Sequence, residues 1–406
     1  MNGTSVVARS AANRPSPAQS LAASAEKKSC SAPRAHAEVR SGAADQPPQE
    51  HQSKLAREMA RDSVARGLYR QRLKPALARL RNLRPYSIAN TIVMSGTPRG
   101  GTSWLAEILA TLPKSSLIWE PLDLEYTEEA ARLGLDWRTY VPASESRPAL
   151  EEFFGRVLTG RVRNPRINNA AKLREILEAE TFIVKFIRGQ MLLGWLDRHL
   201  RFAKPAILLI RHPCAVVSSQ LRWGEWGNMK TPRFASVLSH YPEFEEILAP
   251  LDTLEQKLAA MWAMEYRVAL DASPCPFLVV TYEELVRDGE AQVERIFAAL
   301  GHSVPPDAFA RLRRPSRTAT ADSHVAQAKD PLTGWTGKLS RRQVREILDV
   351  VAAFGIDFYG DALEPDYRRL ELQLGGDRES VVVPSSRARP ELGSRPSRRV
   401  GSPSAR

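Results

Sequence analysis

From about residue 90 onward, short apolar runs alternate with stretches whose apolar residues recur at helical spacing. Short runs that end in glycine, proline or a polar cluster are typical of buried strands, whereas the longer amphipathic stretches indicate helices. Strands that alternate with helices form a parallel sheet with helices on both faces. We therefore predict an α/β fold in three layers, with a central parallel sheet flanked by helices. The predicted strands lie in TIVMSG, SSLIWEP, TFIVKFI, AILLIRHP and PFLVVTYEEL.

Proline, serine, alanine and arginine dominate both ends of the 406-residue chain. Segments of this kind contain too few large apolar residues to form a core, so residues 1–52 and 375–406 are predicted to be disordered tails. Residues 53–88 are basic and partly amphipathic, a pattern typical of a helical segment, here interrupted near Pro75. These boundaries leave one folded domain at 89–374.

Positive charge is concentrated in the flanks of the chain. The net charge is +12, of which residues 1–90 carry +10 and residues 375–406 carry +4, so that the middle, 91–374, carries −2. A folded part this close to neutral does not favour a nucleic-acid partner. The basic flanks suit a peripheral contact with an anionic membrane, and a non-enzymatic basic anion-binding protein is an alternative to an enzyme.

The sequence has neither the pattern of a membrane anchor nor that of a secretory leader. No run of 18 apolar residues occurs, and the first residues lack a continuous apolar stretch. The three cysteines, Cys30, Cys214 and Cys275, show neither paired nor metal-type spacing. We therefore expect a cytoplasmic protein. The start of the chain loosely resembles an organelle transit peptide, but disorder of the same composition is the preferred interpretation.

The stretch GTPRGGTSWL, residues 96–105, joins the first predicted strand to a helix. The first N–H groups of a helix lack intrahelical acceptors and lie at the positive end of the helix dipole, so they favour an anion. The glycines allow the backbone to approach that anion closely. Arg99 adds a cation with a planar fork, and Thr102 and Ser103 add hydroxyl donors. This stretch therefore predicts a phosphate-binding loop.

The spacing departs from that of a nucleoside-triphosphate loop at one position. Such a loop continues from its second glycine with Lys and then Ser or Thr, and Thr102 stands where this lysine would be. The strands before Arg211 and Tyr282 also lack a terminal Asp that would help to hold Mg²⁺. We therefore expect a single phosphate and no metal at this loop, with a P-loop phosphotransferase as an alternative function.

The segment TPRGGTSWLAEIL resembles the 5′-phosphosulfate-binding loop of the sulfotransferases that use 3′-phosphoadenosine 5′-phosphosulfate (PAPS). The resemblance implies a P-loop-like domain in which Arg99 assists sulfuryl transfer and Trp104 contacts the adenine of PAPS. At position 100, glycine replaces the serine that is usual in the family. The 5′-phosphate cradle implied by the resemblance consists of Gly100, Gly101, Thr102 and Ser103.

A second motif accounts for the other phosphate of PAPS. In LLIRHPCAVVSSQLRW, Arg211 ends a predicted strand and Ser219 follows eight residues later on a helix. The 3′-phosphate motif of the PAPS-dependent sulfotransferases has an Arg and a Ser at this spacing, and Ser218 is a near alternative to Ser219. A guanidinium fork and a hydroxyl are both suited to a phosphate. TYEELVRD resembles a further segment of the family and implies that Tyr282 reaches the adenine.

The segment PLTGWTGKLS resembles a late part of the family that follows the loop closing over the 3′-phosphate. Arg317 and Lys329 lie near it in the sequence, and both are candidate clamps for this phosphate. His212 is expected to support the 3′-phosphate site rather than to act as a base.

Lys185, in the third predicted strand, occupies the position of a lysine that contacts the transferring group in small-molecule sulfotransferases. Their catalytic histidine would lie two residues later, where this chain has Ile187. The resemblance to the phenol and steroid branch therefore ends at this point. LIWEPLD resembles a segment of the carbohydrate branch, so Glu120 is the candidate general base, provided that its pKa is raised. The alternative is a structural role near Pro121, as a cap or in an ion pair with Arg99 or Lys185.

The absent histidine and the segment LIWEPLD favour a hydroxyl on a carbohydrate or glycolipid as the acceptor, with a small-molecule alcohol or phenol as the alternative. Trp223 and Trp226 are candidates for stacking on a sugar face. The acceptor pocket itself is expected from the loops 122–180 and 222–252, whose sequences contain no motif.

Overall fold

The computed structural model describes residues 65–223, 234–271, 276–320, 323–324 and 326–375, all within the unit Ala60–Arg406. Most of both predicted tails, the first part of the basic segment, the Trp223 side chain, Trp226 and two of the three cysteines lie outside these residues. The remaining cysteine, Cys214, is buried and free.

Five parallel strands form the central sheet, in the order β2-β3-β1-β4-β5. All five lie in the predicted apolar runs, so this part of the prediction is confirmed. The register pairs Val93 with Val184 and Ser95 with Leu208, which places β1 at the centre. The strands are β1 (Ile92–Ser95), β2 (Ser115–Trp119), β3 (Thr181–Phe186), β4 (Ile207–Ile210) and β5 (Leu278–Thr281).

Helices connect the strands and cover the sheet. They are α1 (Lys74–Ala78), α2 (Thr102–Leu109), α3 (Glu128–Arg132), α4 (Pro148–Leu158), α5 (Leu173–Glu178), α6 (Leu193–Leu200), α7 (Pro213–Trp223), α8 (Ala235–Leu238), α9 (Phe244–Leu248), α10 (Leu254–Leu270), α11 (Tyr282–Arg287), α12 (Gly289–Ala299), α13 (Pro306–Leu312), α14 (Arg341–Ala353) and α15 (Tyr367–Leu374). Short 3₁₀ segments occur at Arg79–Leu83, Ile88–Asn90, Gln190–Leu192 and Pro331–Trp335, and a π-helical turn at Tyr69–Leu73.

The core lies in two layers, one on each face of the sheet. Successive side chains of a strand point to opposite faces, so Ile92 and Met94 pack into one layer with α2 and α12, whereas Val93 packs into the other. That second layer contains α4, α6, α7, α10 and α14. The three-layer α/β prediction is therefore confirmed.

Local sequence signals set several of the helix boundaries. The Ser340 hydroxyl accepts from the Gln343 N–H and begins α14, and Gly355, with φ of 76°, follows its end. Pro213 is the first residue of α7, where its missing N–H costs no helical hydrogen bond.

The segment before the sheet is helical in short pieces. The Lys74 ammonium donates to the Asn168 carbonyl oxygen at 2.7 Å, which holds α1 against the domain. Large apolar side chains on this segment are exposed, among them Leu73 and Leu83. The predicted contact with an anionic membrane stays a prediction. Among the described residues, no helix has the length and apolar character needed to cross a bilayer.

The topology places a crevice at the carboxyl ends of β1 and β4. These strands are neighbours, and the helices that follow them, α2 and α7, pack on opposite faces of the sheet. Adjacent parallel strands with helices leaving to opposite faces open a crevice in which α/β proteins bind their ligands. The loop 96–101 and Arg211 both lie at this crevice.

Candidate active site

The loop between β1 and α2 makes a sharp turn at the carboxyl end of the central strand. The Gly100 N–H donates to the Thr97 carbonyl oxygen at 3.0 Å, and Arg99 has a left-handed φ of 70°. Gly101 has φ of 95°, and a Cβ atom there would lie 2.5 Å from Cδ2 of Tyr282. Only glycine fits such a position without strain. The turn leaves the first N–H groups of α2, which begins at Thr102, directed at the crevice.

Buried side chains hold this loop rigidly. The Tyr266 hydroxyl on α10 donates to the Leu209 carbonyl oxygen at 2.7 Å and accepts from the Thr97 N–H at 3.1 Å. From α7, the Gln220 side-chain amide donates to the Pro98 carbonyl oxygen at 3.0 Å. The phosphate loop is therefore fixed before any ligand binds.

The two predicted phosphate motifs meet in the structure. Nε of Arg99 donates to the Ser219 hydroxyl at 3.0 Å, and Nη1 of Arg211 donates to the Arg99 carbonyl oxygen at 3.2 Å. Arg99 is thus in direct contact with two residues that follow it in the sequence by 112 and 120 positions. Ser218, the alternative to Ser219, lines the same cavity.

Aromatic rings form a wall beside this contact. The guanidinium carbon of Arg211 lies 4.0 Å from the centre of the Tyr282 ring, and the Trp104 ring lies 5.5 Å from that of Tyr282. Nε1 of Trp104 donates to the Leu312 carbonyl oxygen at 3.1 Å, which fixes the indole. Both rings line the cavity, as expected for residues that contact a base.

Lys185 is a buried cation at the centre of the site. Its Nζ lies 2.6 Å from Oε1 of Glu120, donates to the Ser103 hydroxyl at 3.2 Å, and lies 3.5 Å from the centre of the Trp119 ring. Burial lowers the pKa of the Lys185 ammonium, and the charge of Glu120 opposes that fall. The contact with Ser103 connects Lys185 to the phosphate loop.

Glu120 differs from the expectation drawn from the sequence. Burial alone would raise the pKa of its carboxyl, but the charge and hydrogen bond of Lys185, with the charges of Arg166 and Arg188, lower the pKa on balance. Its second carboxylate oxygen forms an ion pair with Arg166. The condition set for a base, a raised pKa, is therefore not met in this state, because two cations contact this acid, and the ion pair with Lys185 is the alternative that the sequence left open. Glu120 is an ionised carboxylate at neutral pH.

Two arginines at this site were missed by the sequence analysis. Arg166 pairs with Glu120 and with Asp123, its Nε lying 2.9 Å from Oδ2 of the aspartate. It lies in a segment without any motif, so no signal pointed to it. Arg188 follows β3 by two residues, and its position at a strand end could have identified it.

These residues line one cavity of about 870 Å³. Eleven lysines and arginines but only two carboxylates face it, although residues 91–374 carry a net charge of −2. Clustered like charges raise the local concentration of ligands of opposite sign. The lining cations are Arg99, Arg166, Lys185, Arg188, Arg211, Arg222, Arg313, Arg314, Arg317, Lys329 and Lys338.

The segment 313–338 borders the cavity next to Arg211. Both candidate clamps, Arg317 and Lys329, line it, and Nε of Arg317 donates to Oε1 of Glu107 at 2.9 Å. The His212 ring stacks on Trp335 at 4.8 Å, and burial lowers the pKa of His212 to about 4. His212 is therefore neutral at pH 7 and lies behind a cavity wall, as a supporting residue would.

Within the described part of the chain, no group of three or more His, Cys, Asp and Glu side chains is arranged to hold a metal ion.

The fold and the site define an α/β protein with a hydrogen-bonded loop after β1 and a strongly cationic crevice at the centre of its sheet. The chain belongs to the sulfotransferase family, whose family model matches residues 91–306.

Individual relatives are more distant. Nodulation protein NoeE of Sinorhizobium fredii is 27% identical over 276 residues, which are 64% of this chain and 62% of NoeE. The chain thus spans less than two thirds of the length of this curated relative. The sulfotransferase domain of the Synechococcus PCC 7002 olefin synthase is 19% identical with a TM-score of 0.38, covering 68% of this chain and 98% of that domain. Mouse sulfotransferase SULT7A1 complexed with PAP is 16% identical with a TM-score of 0.33, covering 65% and 83% of the two chains.

Proposed function

We propose that this chain is a PAPS-dependent sulfotransferase that moves a sulfuryl group from PAPS to an acceptor hydroxyl. The observation that carries the proposal is the contact between the two phosphate motifs, Arg99 to Ser219 and Arg211 to the Arg99 backbone. PAPS carries phosphates at the 5′ and 3′ positions of one ribose, so its binding site needs two anion sites close together. A triphosphate would not need the second.

The roles on the donor follow from position. The first N–H groups of α2, with Thr102 and Ser103, bind the 5′-phosphate, and Arg211 and Ser219 bind the 3′-phosphate. Tyr282 and Trp104 flank the adenine. We refer to the residues after β1, β4 and β5 as the donor side, and to those after β2 and β3 as the acceptor side.

Arg99 and Lys185 supply the charge stabilisation. The acceptor oxygen forms a bond to sulfur, the bond from sulfur to the 5′-phosphate oxygen breaks, and negative charge develops on that phosphate. Fixed cations in a water-poor site stabilise such charge more than water does. Ser103, which bonds Lys185, keeps the ammonium close to the loop.

Glu120 accepts the proton of the acceptor hydroxyl. In the structure, Nζ of Lys185 donates to Oε1 of Glu120 at 2.6 Å. When Lys185 turns toward the transferring group, this oxygen becomes available, and the loss of one cation raises the basicity of the carboxylate. The lowered pKa of the resting state thus holds Glu120 ionised until the donor is bound.

The acceptor is proposed to be a carbohydrate or glycolipid. The segment Trp119–Leu122 supports this, because it resembles the carbohydrate branch and places an indole beside Lys185 at the cavity. Apolar ring faces suit the faces of sugars.

The test is transfer of labelled sulfate from PAPS, in EDTA, to a panel of oligosaccharides, glycolipids, phenols and aliphatic alcohols. We expect labelled product with at least one glycan. Labelled product with phenols alone would mean that the acceptor is a phenol and not a carbohydrate or glycolipid. Transfer of the γ-phosphate of ATP in a parallel assay with Mg²⁺, with none from PAPS, would overturn the function itself.

A further inference from the structure

Arg188 lies on the acceptor side of the cavity, with its guanidinium over an indole ring. It follows the end of β3, and its guanidinium carbon lies 4.0 Å from the centre of the Trp137 ring. Stacking on an indole fixes the plane of the guanidinium and leaves its edges to form hydrogen bonds. Arg188 is thus a preorganised fork that lines the cavity.

Two nitrogen atoms of the Arg188 guanidinium are buried without a hydrogen-bond acceptor. Among the residues that the structure describes, Arg188 makes neither a hydrogen bond nor an ion pair, and its Nε and Nη1 are buried without a partner. Burial and the nearby Arg138 lower the pKa of Arg188, against the opposing charges of Asp123 and Glu120. A cation buried with unsatisfied donors is unfavourable unless an anion binds it.

The other cations beside Glu120 are paired with its carboxylate. Lys185 and Arg166 both contact Glu120. Arg211 contacts the phosphate loop from the opposite side of β1. The donor motifs follow β1, β4 and β5, whereas Arg188 follows β3. Arg188 therefore lies apart from the two phosphate motifs.

We propose that Arg188 binds an anionic group of the acceptor, so that the substrate is an acidic molecule with a carboxylate, sulfate or phosphate near the hydroxyl that receives the sulfuryl group. This inference rests on the proposed function. A guanidinium binds such groups through charge-assisted hydrogen bonds, which orient the ligand as well as hold it. Arg188 lies close enough to Glu120 for its charge to help lower the pKa of that carboxyl.

A binding experiment tests the site independently of turnover. The full chain is saturated with 3′,5′-adenosine bisphosphate, so that the donor phosphate sites are filled. Inorganic sulfate, glucuronate, glucose 6-sulfate, glucose 6-phosphate and glucose are then added at matched ionic strength. We expect the anions to raise the melting temperature further, glucose not to do so, and Arg188→Gln to remove the anion effect. The exposed Arg198→Gln, with the same loss of charge, keeps it.

Kinetics separate a substrate contact from a structural role. With acceptor pairs that differ only in one anionic group, wild type favours the anionic member about 10-fold or more in kcat/KM. Arg188→Gln raises KM for that member about 10-fold and leaves the neutral member and adenosine bisphosphate binding unchanged, while Arg188→Lys restores part of the preference. Equal responses of wild type to charged and neutral compounds, or equal losses for both acceptors in Arg188→Gln, would overturn the proposal. Failure to bind adenosine bisphosphate would overturn the proposed function instead.

Discussion

The donor side and the acceptor side of the cavity handle charge in different ways. On the donor side, Arg99 and Arg211 contact a hydroxyl and a backbone carbonyl. Neither contact neutralises the guanidinium. On the acceptor side, Lys185 and Arg166 are paired with the carboxylate of Glu120. These donor-side contacts are thus with uncharged groups, whereas on the acceptor side two cations share one carboxylate.

The two sides also differ in how they are built. The donor side uses short segments that directly follow β1, β4 and β5. The acceptor side includes the long connection from β2 to β3, which carries α3, α4 and α5 and brings Arg166 to Glu120 across 46 positions.

The largest expected effect is on the acceptor side. Lys185→Ala should lower kcat about 1,000-fold, because a fixed cation at the transferring group is lost. Binding of 3′,5′-adenosine bisphosphate should change less than about threefold. Steady-state kinetics and calorimetry measure the two effects. The exposed Lys172→Ala is the control. A loss of binding that equals the loss of rate would place Lys185 in the donor site.

A change of pH affects a buried acid next to the donor side, Glu283. Glu283 is fully buried and accepts from the His212 N–H and the Tyr359 hydroxyl, and burial raises its pKa to about 7. The native state therefore holds a proton that the unfolded state releases above about pH 4.3. Glu283 contributes stability at low pH that is lost as pH rises toward 7.

Urea unfolding of wild type and Glu283→Gln between pH 4 and 8 checks this linkage. The stability of wild type relative to the variant should fall by about 3 kcal/mol across that range. His212, whose pKa is lowered, acts in the opposite direction in both proteins, so the difference isolates Glu283. Parallel stability curves would contradict the assignment.

Glu120→Gln should lower kcat about 100-fold, because the acceptor proton loses its base. The amide keeps the volume of the side chain, so adenosine bisphosphate should bind as it does to wild type. Rapid-quench turnover beside calorimetry makes the comparison, with the exposed Glu125→Gln as control. Near-normal turnover would remove Glu120 from this role and reduce it to a partner of Lys185.

Arg211→Gln should weaken binding of adenosine bisphosphate about 30-fold, since a charged hydrogen bond to the 3′-phosphate is lost. The rate at saturating PAPS should fall by much less. Calorimetry with 5′-AMP, which has no 3′-phosphate, sharpens the test, since the variant should bind it as wild type does. The exposed Arg132→Gln serves as the control. Equal weakening for both nucleotides would contradict a 3′-phosphate contact.

The smallest effect concerns the link between the two sides. Ser103→Ala removes the hydrogen bond from Lys185 at 3.2 Å and should lower kcat/KM about threefold to tenfold. Ser103→Thr, which keeps the hydroxyl, should retain most of the activity. If Ala and Thr have the same activity, the contact does not contribute to transfer.

The fold followed from sequence because strands and helices here carry local signals. Each strand is a short apolar run, and caps such as Ser340 and Gly355 act over one turn. On the donor side the same holds, because the motifs containing Arg99 and Arg211 lie at strand ends, and a parallel sheet brings strand ends together.

The acceptor side could not be predicted in this way. Arg166 reaches Glu120 through long-range packing, and no spacing in the sequence encodes that contact. The lowered pKa of Glu120 depends on the same long-range packing, since its two cations come from other elements. The segment 122–180, expected as loops, contains helices such as α4, which begins at Pro148.

Titration calorimetry with 3′,5′-adenosine bisphosphate in EDTA, beside 5′-AMP, tests the central claim most directly. A site built for two phosphates on one ribose should bind the bisphosphate without Mg²⁺ and at least about 30-fold more tightly than 5′-AMP. Ser219→Ala should reduce that ratio. No binding of the bisphosphate at millimolar concentration, or equal affinity for the two nucleotides, would contradict the account.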